Sequence, residues 1–99
     1  MDIQWLLKKV SGHFGVDPAS LKSASKVPAI ARARSVLCYL GVREIGLTSV
    51  AVAEELGVSQ SAVSRSIARA PGILEREQIR GEWLEWQYIK SVPLWIANA

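Results

Sequence analysis

The stretch Leu47-Thr48-Ser49-Val50-Ala51-Val52-Ala53-Glu54-Glu55-Leu56-Gly57-Val58-Ser59-Gln60-Ser61-Ala62-Val63-Ser64-Arg65-Ser66-Ile67 reads as a short helix, a three-residue turn and a second helix. Val52, Leu56, Val58 and Val63 can close on one another across the turn, and Ala53 is small where the helices cross. Gly57 stands where the chain leaves the first helix, a place where positive φ is cheap only for glycine. Ser59 is a natural N-cap for the second helix. This is the layout of a DNA-binding helix-turn-helix, in which the second helix enters the major groove.

Outward from this motif the chain reads as helical throughout. Asp2 can cap a first helix running to about His13, with Ile3, Leu6, Leu7, Val10 and Phe14 at helical spacing and Gly12 and Gly15 ending it. Asp17-Pro18-Ala19-Ser20-Leu21 predicts a short capped turn with proline at its first position. Lys22-Ser23-Ala24-Ser25-Lys26 reads as a small, basic loop. Pro28 opens a central helix from Ala29 to about Glu44, with Ile30, Ala33, Leu37 and Leu40 as its inner stripe and Val36 and Cys38 flanking. Arg32, Arg34 and Arg43 lie off that stripe. Gly41 lowers helix propensity by roughly 1 kcal/mol against alanine, which suggests close packing by another helix, and Gly46 ends the element. The helix-turn-helix occupies about Thr48 to Ala70. Pro71-Gly72 then predicts a break, followed by a helix from about Ile73 to Ser91 that carries Ile79, Trp83 and Trp86 on one face. Pro93 and the apolar Leu94-Trp95-Ile96 close the chain. The expected fold class is all-α, with a helix-turn-helix unit over residues 1–70 and a Trp-rich C-terminal helix and tail over 71–99.

The chain has 99 residues, almost half of them apolar, enough for a small core. No run approaches the roughly 18 uninterrupted apolar residues of a membrane-spanning helix. Met1-Asp2-Ile3-Gln4-Trp5 lacks the basic-then-apolar pattern of a secretory signal. The single Cys38 has no partner for an internal disulfide and fits a reducing compartment, so the expected location is the cytoplasm. Net charge is +3. Residues 1–70 hold nine Lys/Arg against five Asp/Glu, and residues 71–99 hold three against four. The basic excess belongs with the helix-turn-helix, where it suits a polyanion; a merely soluble basic surface is the plain alternative.

The order of helix, lysine-containing loop, Arg-x-Arg helix ending in Tyr-Leu, and helix-turn-helix resembles the C-terminal DNA-binding domain of the bacterial replication initiator DnaA. The carrying residues are Ala31-Arg32-Ala33-Arg34-Ser35-Val36-Leu37-Cys38-Tyr39-Leu40, then Gly57 and Val63, with Phe14-Gly15-Val16-Asp17-Pro18-Ala19-Ser20-Leu21 similar to the family's short start before its basic loop. The resemblance spans about residues 7–70. It departs at the start of the recognition helix. Initiators carry Arg-Asp-His-Thr-Thr there to read the origin box, and this chain has Val58, Ser59, Gln60, Ser61 and Ala62, so it is not expected to read that box. The chain also has no nucleotide-binding P-loop. It looks more like the module at the C-terminus of REP-associated, single-tyrosine transposases. Their catalytic His-hydrophobic-His motif is absent, which would make this chain an excised module or a stand-alone relative.

Within that frame Gln60, Ser61 and Ser64 are the direct-readout candidates, because they occupy the outer face of the first turns of the second helix. Glutamine can bond bidentately to adenine, and serine is a tolerant donor and acceptor. Plain N-terminal capping is the competing reading. Arg65 and Arg69, four residues apart, suit a phosphate or a guanine edge, or else a solvated face pairing with Glu54 or Glu55. The resemblance places Lys22 and Lys26 beside the minor groove or the backbone, although the family usually has arginines there. It places Arg32 and Arg34 on phosphates. His13 has no partner at metal-ligand spacing, and Cys38 has no histidine to activate it and reads as core.

The leading expectation is therefore a sequence-specific double-stranded-DNA-binding module, transposase-associated, with no cofactor, no metal site and no membrane partner. The alternative is a protein-interaction or dimerisation module that keeps the helix-turn-helix as architecture. The Trp-rich segment after Pro71, with Trp83, Trp86 and Trp95, motivates it, as a dimer surface or the seat of a missing N-terminal domain; Trp5 is the fourth tryptophan. An enzyme is not expected, because no base, nucleophile and orienter occur together.

Overall fold

The computed structural model describes residues 2–22 and 25–79. α1 (Ile3–Phe14) begins at Asp2, whose carboxylate accepts from the Trp5 N–H at 2.8 Å. It ends at Gly15, left-handed at φ 66°, so the expected cap and stop are both present; Gly12 lies within the helix. Leu6, Leu7 and Val10 are buried, and Ile3, Trp5 and Phe14 pack partly against them. A 3₁₀ turn, Pro18–Lys22, follows, with Asp17 accepting from the Ala19 N–H and Leu21 fully buried.

α2 (Pro28–Tyr39) opens with proline at its first position, where its preset φ favours the helix and its missing N–H costs nothing. The helical path continues to Glu44 as expected, but its last stretch, Leu40–Glu44, is a wider π turn in which the Ile45 N–H reaches the Leu40 carbonyl at 3.0 Å. Gly41 is buried in that turn. A Cβ there would stand 3.5 Å from the side chains of Leu47 and Val52, so the packing is close but leaves room for a methyl group.

α3 (Ser49–Leu56) is capped by Thr48, which accepts from the Ala51 N–H, and is stopped by Gly57 at φ 67°. α4 (Gln60–Arg76) is capped by Ser59, which accepts from the Ala62 N–H at 3.1 Å. α2 lies at the centre of the bundle, packed most extensively on α4 and then on α1, while α3 leans on α4. Val52, Leu56 and Val63 are fully buried where the two helices of the motif meet, Ala53 is nearly so, and Val58 is partly buried. The described residues form helices and connections, with no strand among them.

The break expected at Pro71-Gly72 is absent, because α4 runs through both residues to Arg76. A proline inside a helix removes one backbone bond and costs about 3 kcal/mol. Past that point Ile73 is buried and Leu74 packs partly on the core. Each apolar side chain of that size contributes about 1.5–3 kcal/mol on full burial, so the extra turn and a half can outweigh the proline. The predicted helix from Ile73 accordingly does not start there. The chain leaves α4 at Glu77, Gln78 is left-handed at φ 57°, and the Ile79 N–H closes onto the Leu74 carbonyl at 2.9 Å. Ile79 is buried, and Glu77 meets His13 of α1 at 3.1 Å. The remainder of that predicted helix and the apolar tail lie outside the described residues.

Candidate nucleic-acid interface

α4 buries Val63, Ala70 and Ile73 and turns Gln60, Ser61, Ser64, Arg65 and Arg69 to solvent. The spacing of 3.6 residues per turn dictates this division. With Ser59 occupied as the cap, Gln60 and Ser61 are the first two exposed side chains of the helix, and Ser64 continues their row one turn on. All three candidate readout residues therefore share an open face at the N-terminal end of α4.

Beside that face is a cleft of about 490 Å³ between α4 and the chain leading into α2. Ser25 and Lys26 line one side, Ala31 and Arg34 of α2 the back, and Val58, Ala62, Arg65, Ser66 and Arg69 the other side. Four of these residues are cationic and none is acidic. Like charges around a concavity concentrate the field and attract anions. No carboxylate among the described residues pairs with Lys26, Arg65 or Arg69. The competing idea that the two arginines pair with Glu54 or Glu55 is not realised.

Two of the predicted cations, Lys22 outside the cleft and Arg34 at its back, are held by the fold. The Lys22 ammonium sits 3.0 Å from Glu55 Oε1, which also accepts from Gln4 Nε2 at 2.6 Å. The hydrogen bonds from Lys22 and then Gln4 hold the Glu55 carboxyl below the usual carboxylate range. Arg34 reaches back from α2, with Nε donating to the Leu21 carbonyl at 3.4 Å and Nη2 to the Ser25 carbonyl at 3.2 Å. Arg32 is exposed on α2, outside the cleft lining.

Under the cleft lies Cys38, fully buried as expected of a core residue. Burial pushes its thiol up to about 11, against a hydrogen bond with Ser66 and the nearby Arg34 charge. Ser66 is half-buried, and Ile67 packs partly on the core one place later. The Ser66 hydroxyl thus stands against Cys38 at the cleft lining. Trp5 is partly buried on the core; Trp83, Trp86 and Trp95, which motivate a dimer or domain contact, lie outside the described residues. No group of three His, Cys, Asp or Glu side chains that could hold a metal occurs among the described residues, and none of their helices is long and apolar enough to cross a membrane.

The sequence gives no hint of the Gln4–Glu55–Lys22 clasp, whose ends lie 51 residues apart. It gives none of the bond from Arg34 to Ser25 either. Ala31, Val58 and Ala62 also line the cleft, a property of the packed structure rather than of any motif.

A helix-turn-helix packed on α2, with an exposed polar face on its second helix and a basic cleft beside it, is the architecture of a DNA-binding module. Residues 3–69, more than half of the chain, match the family described as bacterial dnaA protein helix-turn-helix. The chain belongs to that family, whose helix-turn-helix supports double-stranded DNA as its partner. No curated protein and no solved structure gives a significant match.

Proposed function

We propose that this chain binds duplex DNA sequence-specifically, with the first turns of α4 in the major groove and the sugar-phosphate backbone alongside it drawn into the basic cleft. The observation that carries the reading is the adjacency of two surfaces: Gln60, Ser61 and Ser64 on an open helix face, and at its flank Lys26, Arg65 and Arg69, which no carboxylate among the described residues pairs. The first set suits base edges and the second suits phosphate. Arg32, exposed on α2, adds a further phosphate contact.

The finer identity is a DNA-binding module of a transposase-related protein. Support comes from the stretch Val58-Ser59-Gln60-Ser61-Ala62 in place of the initiator's Arg-Asp-His-Thr-Thr, since a family member without those side chains must read another site. Selection from random duplexes tests both levels. The expected result is one defined site that differs from the origin box and recurs at the ends of a mobile element. Gln60→Ala should flatten the preference at one base pair, a loss of about 1–3 kcal/mol of discrimination, and Arg32→Ala should weaken binding to all sequences alike. Enrichment of no site, with Gln60→Ala silent, overturns the reading.

A further inference from the structure

The segment between Leu21 and Pro28 is polar, and residues 25–27 have no regular structure, yet Lys26 lines the cleft opposite α4. A lysine on such a segment is useful to a ligand only if its backbone is fixed beforehand, because ordering it on binding would subtract from affinity. Arg34 supplies a fixing device. Its Nε donates to the carbonyl of Leu21 and its Nη2 to the carbonyl of Ser25. These carbonyls bracket residues 22–24, so one planar group on α2 joins the two ends of the segment. Lys26 follows Ser25 directly, and the Val27 N–H donates back to Ser25 Oγ at 3.2 Å. The placement of Ser25 therefore sets that of Lys26. At the near end Lys22 is held to α3 by Glu55.

We infer that Arg34 is a positioning residue for nucleic-acid binding, which acts by holding Lys26 over the cleft and not by contacting a phosphate itself. This rests on the duplex-binding reading of the cleft given above. The two roles make different demands on the side chain. A phosphate contact needs positive charge, which lysine keeps. A bracket across two carbonyls needs the rigid guanidinium fork, which an ammonium on a flexible stem does not reproduce.

The experiment compares wild type, Arg34→Lys, Lys26→Ala and the double variant. Duplex affinity is measured over a range of salt concentrations, and amide hydrogen exchange of residues 25–27 is measured without DNA. The expected result is that Arg34→Lys speeds exchange in this segment, weakens binding roughly fivefold and lowers the salt slope by about one, as if one phosphate contact had gone although the net charge is unchanged. Lys26→Ala gives a similar loss, and the double variant is no worse than either single one. Arg34→Lys with wild-type affinity and slope overturns the proposal, as do multiplying losses in the double variant. A silent Lys26→Ala does so as well, even if Arg34→Lys fails to fold, because there is then nothing to position. Absence of duplex binding by the wild type overturns the functional reading along with it, whereas the preceding outcomes overturn only the role of Arg34.

Discussion

Lys26, Arg65 and Arg69 on one side, and Lys22 and Arg34 on the other, carry the same charge and border the same region of the molecule. They differ in what they face. The first three line an open cleft, at whose back Arg34 also stands, with no carboxylate among the described residues to neutralise them. Lys22 is neutralised by Glu55, and Arg34 is directed onto two backbone carbonyls. Cationic side chains in a nucleic-acid-binding chain thus divide into those offered to the ligand and those held by the fold, and direct phosphate contacts, the ones counted in the salt slope, are expected from the first kind.

The largest expected effect tests the open set. Arg65 and Arg69 lie four residues apart on α4, exposed, on the face that borders the cleft. Removing both as Arg65→Ala/Arg69→Ala should lower the salt slope by about two and weaken binding roughly tenfold per arginine, for specific and non-specific duplexes alike. Neither side chain is buried or paired with a carboxylate among the described residues, so the melting temperature should hardly move. Titrations of both variants across salt, beside thermal melts, check this. A large fall in melting temperature would show that these arginines belong with the committed set.

How far the sequence foretold this division can be read residue by residue. Local devices were legible: Asp2, Thr48 and Ser59 as caps, Gly15 and Gly57 as stops, and Pro28 as a first-turn proline all depend on neighbours within a few positions. The buried faces of α1 and α2 followed from periodicity, since burial repeats with the helix turn. The exposed row on α4 was legible for the same reason. Pro71 misled because local propensity was set against tertiary burial of Ala70 and Ile73, which no short window contains. The fates of the cations were the least legible. Lys22 is committed by a glutamate 33 positions away and Arg34 by a carbonyl at Ser25, a group every residue possesses and no sequence pattern marks.

The smallest expected effect lies in the committed set, at Lys22 and Glu55. Because the folded carboxyl of Glu55 is held below its ordinary range, the clasp is fully present at neutral pH. Its contribution to stability persists above the carboxylate's unfolded pKa, about 4.3, and is lost as pH falls through the lower folded value. The Glu55 side-chain carboxyl resonance should therefore titrate below a model-peptide glutamate, and Glu55→Gln should flatten that part of the acid unfolding profile. The pair lies at the surface, where such bridges contribute little and are screened by salt. Lys22→Ala should accordingly leave the salt slope of duplex binding unchanged and affinity within about twofold of wild type. A slope lowered by a full unit would show that DNA displaces Glu55 from Lys22. The ammonium would then be a cation exchanged between a carboxylate and a phosphate, and the boundary between the two sets would move on binding.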